Sequence, residues 1–176
     1  YYIREKMAYR YQTFRLTHIW IIMAVNLLLF VATLVAPNFI YEFLGLRTAG
    51  FLLQPWTVIT SLFVHSGFWH IIANMVTLYF FGTYLSMLVG TKRFLTVYFC
   101  GGVLGNIFFI LAGLTGLISP FTTVVGASGA IFAVGGALAV MRPKLRVLVF
   151  FFIPAPLWAA IIGGFIILSF APFIAW

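Results

Sequence analysis

Four side chains in this sequence have the types and spacing for acyl-transfer chemistry. One is Ser128, set in Val125-Gly126-Ala127-Ser128-Gly129-Ala130 at the head of an apolar run that meets no charge until Arg142. The others are His65, His70 and Asn74, the last two one helical turn apart. A serine hydroxyl attacks a carbonyl when a base takes its proton, and the intermediate needs hydrogen-bond donors around its oxyanion. Histidine and asparagine both supply such donors, so neither His70 nor Asn74 need be the base. The alternative for Ser128 is packing, because membrane helices favour Gly, Ala and Ser where two backbones approach closely. Nor is this the elbow of the soluble hydrolases, which wants Gly-x-Ser-x-Gly after a strand; here Ala130 takes the last position. His70 equally reads as an interfacial residue, Asn74 as an interhelical hydrogen-bonding group and His65 as a loop residue. The choice rests on where the chain puts them.

The solvent follows from composition. With 176 residues, 64% hydrophobic and 7% charged, and a mean hydropathy of +1.17, the chain has too few polar groups to cover a soluble globule. It reads as an all-α, polytopic membrane helix bundle of one domain, residues 1–176. Cys100 is the single cysteine, which excludes an intrachain disulfide, and its apolar surroundings predict a buried packing residue. The three histidines, one cysteine and two acidic residues show no ligand spacing, so no metal is expected. The net charge of +8 sits in short groups between apolar runs. That placement is a topology signal, and no nucleic-acid partner is expected.

In chain order, residues 1–16 form a basic flank carrying Arg4, Lys6, Arg10 and Arg15, and the true start is expected to lie upstream. Ile19 to Ala36 is long enough for a first helix across a hydrocarbon core of about 30 Å at about 1.5 Å per residue. A cleaved signal peptide is the rival, but Pro37 directly after Val35-Ala36 suits cleavage poorly. Residues 37–67, with Gln54, Pro55, Trp56, Thr60, Ser61 and Phe63, read as an outer interfacial loop. A second helix is predicted over Phe68 to Val89, a third over 95–114 and a fourth over 126–141, the last two separated by the turn residues of Gly113 to Pro120. Val147 to Phe170 makes a fifth, its first half kinked or loosened by Pro154 and Pro156. Nine of the ten basic residues fall before helix 1, between helices 2 and 3, and between helices 4 and 5. Those segments are assigned to the cytoplasm, so the expectation is a plasma-membrane protein with a cytoplasmic amino terminus. His18, at the cytoplasmic end of helix 1, reads as a flank residue far from any site.

This topology puts the starts of helices 2 and 4 on the outer side, and so sets His70, Asn74 and Ser128 at one depth. Polar groups inside a span are costly and point to function. His65-(x4)-His70-(x3)-Asn74 followed by Gly126-Ala127-Ser128-Gly129 resembles the rhomboid intramembrane serine proteases, and Trp56-x-x-x-Thr60 and Gly82-x-Tyr84-Leu85 fit the same pattern. The resemblance implies a six-helix bundle around a water-filled cavity, with five helices in this chain and a sixth beyond Trp176. It makes Ser128 the nucleophile between Gly126 and Gly129, has His70 and Asn74 join the Ser128 backbone N–H in the oxyanion hole, and counts His65 as motif support. It also implies substrates that are transmembrane helices of other proteins, admitted from the lipid bilayer past the fifth helix, with no cofactor. Two departures stand out. Ser86 occupies a place where the family often has glutamate, so an internal polar tether is expected to be missing. The family's base is a histidine in an Ala-His-x-x-Gly setting, and no histidine follows His70 here. The expected function is intramembrane serine endopeptidase, and the alternative is a catalytically inactive rhomboid-like protein that binds transmembrane helices. A channel or transporter fits less well, since no span carries a charge and no inverted repeat is evident. The sequence assigns no oligomeric state.

Overall fold

Backbone in a run of uncharged, apolar residues has only itself to bond with once water is excluded, and the chain answers with helices. The computed structural model describes residues 2–149 and 152–174, with side chains over 18–148 and 152–164 and at 166. Helix α1 covers Tyr2–Val35. It takes in residues 2–16 of the expected flank, whose side chains lie outside the described residues, and stops before Pro37, as a helix must. Pro37 then opens α2, Pro37–Leu44, from the first-turn position that needs no N–H.

The segment 37–67 has more structure than the loop expected from its polar residues. After α2 come the two-residue strand β1, Leu46–Arg47, the one-turn helix α3, Thr57–Thr60, and a 3₁₀ turn over Ser61–Phe63. Side chains tie these pieces together, with Trp56 Nε1 donating to Phe43 O at 2.8 Å and Thr60 Oγ1 to Leu44 O at 3.0 Å. Helix α4, Phe68–Thr77, passes through a π turn at Leu78–Gly82 into α5, Thr83–Val89. Helix α6, Thr91–Leu114, follows at once. The chain then turns back through β2, Thr123–Val124, which pairs antiparallel with β1 as Leu46↔Val124 and Arg47↔Thr123. Arg47 Nε donates to Thr123 Oγ1 at 2.6 Å on the same ladder.

Helix α7, Ser128–Met141, begins two residues later than the expected fourth helix. It is the element the others surround: Ala130, Ile131, Val134, Gly135 and Leu138 are buried, and it touches α4, α5, α6, the π turn and the 3₁₀ turn. Its seam with α6 is made of missing side chains. A Cβ on Gly101 would overlap that of Ala133, and one on Gly102 would sit 2.8 Å from Leu62 Cδ1 and 3.2 Å from Ala130 Cβ. Close approach of this kind is how helices associate in lipid, where dispersion contacts replace the hydrophobic effect.

Past Arg142 the structure departs from the predicted fifth helix. Residues 146–149 and 153–156 form β3, Arg146–Val149, and β4, Ile153–Pro156, antiparallel with Leu148↔Pro154 and Arg146↔Pro156; the link at 150–151 lies outside the described residues. Leu157 N donates to Leu145 O at 2.8 Å, so bonded pairs fall at odd positions and both prolines take places whose missing N–H would point away from β3. The prolines therefore forbid helix here rather than kink it, and the helix α8, Leu157–Ile174, starts only after them. Trp176 lies outside the described residues.

Among the described residues, three helical stretches are long and apolar enough to cross a bilayer: His18–Val35, Phe68–Val89 and Thr91–Leu114, with mean hydropathies of 2.3, 1.5 and 2.0; Ser128–Met141 is apolar but shorter. Two other expectations change. Cys100 is exposed, on the α6 side that also shows Leu104, Phe108 and Leu111, because an outward face in lipid is as apolar as an inward one. His18 is not a bland flank residue. Its Nε2 lies 3.0 Å from Ser86 Oγ and its Nδ1 3.5 Å from Thr91 Oγ1, and its ring stands 5.2 Å from that of Phe94. Ser86, buried at 1% exposure, thus keeps a polar tether, made to α1 by histidine.

Candidate active site

Ser128 is the first residue of α7, and its position follows from the strand before it. Paired through β2, the chain leaves the ladder at Val125, and Gly126 N donates to Ser61 O at 2.8 Å. Gly126 has φ +119°, a conformation that side chains rarely tolerate and that blocks helix until Ala127. The α7 ladder begins with Ile131 N to Ala127 O at 3.0 Å. The N–H groups of Ser128, Gly129 and Ala130 are consequently without carbonyl partners in their own helix, at the positive end of its dipole. Beside them is a cavity of ≈ 240 Å³ lined by Ser128, Gly126, Asn106, Leu62, Phe109 and Phe132 among others. Gly129 faces Gly102 and Gly105 on the α6 seam, and both Gly129 and Ser128 line the cavity.

On the other side stands the start of α4. Gly67 precedes its first turn, which carries His70, and the ring of His70 covers Gly126. A Cβ added to Gly126 would lie 2.7 Å from His70 Nε2 and 2.8 Å from Cε1. The opposite ring nitrogen, Nδ1, is 3.1 Å from Ser66 Oγ. When the Ser66 hydroxyl donates to Nδ1, the remaining ring proton sits on Nε2, the edge turned toward the Ser128 segment. Asn74 is one turn further on, buried, with one amide hydrogen given to His70 O at 2.8 Å. The other is left for a partner.

His65 is 0% exposed, and neither ring nitrogen meets a partner at hydrogen-bonding geometry. Its ring stands edge-on to that of His70, with centroids 5.0 Å apart at 63°. Burial, and then the neighbouring His70, push its pKa down to about 4, against a weak opposing pull from the Phe63 backbone. A neutral imidazole packed on the back of His70 is what such an environment requires.

The structure thus sets the His70 ring over Gly126, two residues before Ser128, bonds Asn74 to the His70 carbonyl one turn further along α4, and stands His65 edge-on to His70. Three contributors were not singled out from sequence: Ser61, Ser66 and Asn106. Asn106 carried a signal, being a polar side chain inside an uncharged span; the two serines carried none.

The Rhomboid domain family model matches residues 52–176. The chain belongs to the rhomboid family. It is 31% identical over 109 residues to Rhomboid protein 1, mitochondrial, of Saccharomyces cerevisiae, covering 61% of this chain and 32% of that protein. It is 38% identical over 87 residues to the putative rhomboid protease YdcA of Bacillus subtilis, covering 49% of this chain and 41% of that protein. It is also 34% identical over 58 residues to the inactive RHOMBOID-like protein 8 of Arabidopsis thaliana, covering 33% and 16%. The chain therefore spans well under half the length of each of these relatives. Rhomboid relatives named as proteases and as inactive both resemble it, and it is an integral membrane protein.

Proposed function

We propose that this chain carries the nucleophile and oxyanion side of an intramembrane serine endopeptidase, which hydrolyses a peptide bond in or near the transmembrane helix of another protein. The observation that carries the reading is the position of Ser128 at the N-terminus of α7, with the Nε2 edge of His70 over Gly126 two residues before it. Ser128 Oγ attacks the carbonyl carbon. The oxyanion meets the Ser128 N–H, His70 Nε2 and the free hydrogen of Asn74 Nδ2, and the C–N bond breaks to leave an acyl-serine that water hydrolyses. The substrate helix unwinds locally first, since a helical carbonyl is already bonded. The proton relay needs a base, and the Ala-His-x-x-Gly setting of the family is not found in residues 1–176.

The depth of the serine supports this. The 14 residues of α7 make a helix of about 21 Å against a hydrocarbon core of about 30 Å, so with Met141 at the basic side Ser128 lies about 9 Å below the opposite surface. The cavity of ≈ 240 Å³ beside it has room for water, and polar backbone at a helix start is tolerated at such depth where it lines a space of that kind.

In the gene product that carries this sequence, His70→Ala and Asn74→Ala are each expected to lower the turnover of a transmembrane substrate in detergent. Loss of one preorganised donor costs about 10² to 10³ in rate, roughly 3 to 4 kcal/mol. If neither change slows cleavage, both residues are packing. The second reading, an inactive rhomboid-like binder of transmembrane helices, is favoured by the likeness to an inactive Arabidopsis relative. It predicts substrate capture without cleavage.

The charge asymmetry assigns the amino terminus, Lys92-Arg93 and Arg142-Pro143-Lys144 to the cytoplasmic side of a plasma membrane. In a Cys100→Ala background, Ser119→Cys is expected to react with an impermeant maleimide on intact cells and Lys144→Cys is not. The opposite pattern inverts the topology.

A further inference from the structure

We infer that Asn106 is a positioning residue for the nucleophile, acting through Ser61 on the strand that leads into α7; this rests on the peptidase reading above. Asn26 and Asn74 each spend an amide hydrogen at home. Asn26 Nδ2 donates to Ile22 O at 2.7 Å and Asn74 Nδ2 to His70 O at 2.8 Å, each four residues back in its own helix. Asn106 does not. From the middle of α6 its Nδ2 donates to Val58 O at 2.8 Å and to Ser61 Oγ at 2.9 Å, so both hydrogens are committed to the α3 and 3₁₀ segment. A carboxamide at 8% exposure in an apolar span is costly to keep unless such bonds are made.

What those bonds hold is the other half of the argument. One turn of α-helix followed by a 3₁₀ turn has too few internal hydrogen bonds to be rigid alone. Yet Ser61 O, on that segment, is the acceptor for Gly126 N at 2.8 Å. Ser61 is therefore gripped through its hydroxyl by α6 and grips Gly126 through its carbonyl. Gly126 in turn sets the direction in which Ser128 enters α7 and provides the floor under the His70 ring. Asn106 also lines the cavity that Ser128 lines, so the clamp stands at the edge of the site. The α6 to α7 seam has its own adhesion in the glycines at 101, 102 and 105, which leaves the two polar bonds of Asn106 free to serve geometry instead of helix association.

The test uses the gene product that carries this sequence and a transmembrane substrate, with Asn106→Leu, Ser61→Ala, their double variant, and each combined with His70→Ala. Asn106→Leu keeps the volume and suits lipid, and Ser61→Ala removes only the hydroxyl, so a folded variant is at hand even if one of the two fails. A displacement of the reacting groups by a fraction of an ångström to about 1 Å costs about ten- to a hundred-fold in rate. The expected result is a loss of that size in kcat with KM unchanged, a double variant no slower than Asn106→Leu alone, and a loss that shrinks when His70 is already alanine, because groups acting through one another are not additive. A residue that only holds helices together would lower the thermal midpoint and leave kcat of the folded fraction and the His70 effect untouched; that result overturns the inference. A parent protein that cleaves while both single variants stay within about two-fold of it also overturns it, two-fold being within the scatter of independent sites. A parent that neither cleaves nor reacts at Ser128 overturns the peptidase reading itself, and the inference falls with it.

Discussion

Replacing Ser128 by alanine abolishes fluorophosphonate labelling and substrate cleavage while leaving the fold in place, if Ser128 is the nucleophile. A fluorophosphonate reports an activated hydroxyl, because an ordinary serine at its unperturbed acidity reacts very slowly. The expected loss in turnover is the largest of any single change, on the order of 10⁶ where a serine nucleophile works with a base, leaving only the contribution of binding and oxyanion stabilisation. The structure makes the control clean. Ser128 is the first residue of α7, the preceding cap residue is Ala127, and the serine borders a cavity that Gly105, Asn106 and Phe109 of α6 also line. Removing its oxygen opens no packing defect, so a change in stability of no more than about 0.5 kcal/mol is expected. Residues 1–176 alone are expected to stay unlabelled, having no histidine beyond His70. Labelling of that piece at Ser128 would make His70 the base and revise its role, and labelling that survives Ser128→Ala would remove Ser128 from the chemistry.

What could be foreseen of this arrangement depended on whether the signal was local. Uncharged stretches bounded by Lys92-Arg93 and Arg142 marked the helices, and from their ends His70, Asn74 and Ser128 fell at a common depth before any contact was known. The ladder that delivers Ser128 was invisible, because β1 and β2 are two residues each and a strand of that length has no period to read. Val147 to Pro156 was misread for a related reason: an apolar run looks alike as helix or strand, and only the alternation of Pro154 and Pro156 on one edge of β4 resolves it.

Hydrophobicity also fails to sort faces in lipid. Cys100 sits in the same apolar text as Tyr98, yet one is exposed and the other is 0% exposed. The long-range polar contacts had no local mark at all. His18 to Ser86 and Asn106 to Ser61 join residues 68 and 45 positions apart, and a serine offers nothing in sequence to say which distant group it meets. The candidate residue types could be read because their chemistry is carried by residue identity; the contacts that position them could not, because positioning is a property of the fold.

Gly126→Ala should cost turnover at least as heavily as loss of His70, and it tests the aiming directly. Two penalties fall on one methyl group. At φ +119° any residue with a Cβ is strained by about 1 to 3 kcal/mol, which is relieved only by rotating the backbone that sets Ser128 at the start of α7. The added Cβ would also stand 2.7 Å from His70 Nε2 and 2.8 Å from Cε1, well inside contact distance. The His70 ring is backed edge-on by buried His65 at a centroid distance of 5.0 Å, so it has little room to retreat without rotating away from Ser66 Oγ. A donor displaced by about 1 Å forfeits about 10²-fold, and one removed outright about 10² to 10³. The expected outcome is a fall in kcat of that order or more, with a lowered thermal midpoint from the backbone strain. The two penalties separate in a double variant. With His70→Ala already in place the collision disappears, so adding Gly126→Ala should cost turnover much less than it does in the parent while lowering the midpoint as before. If Gly126→Ala cleaves at the parent's rate, then His70 does not act across Gly126 and the oxyanion site must be built from other donors; an effect undiminished without the His70 ring assigns the whole loss to the backbone that sets Ser128.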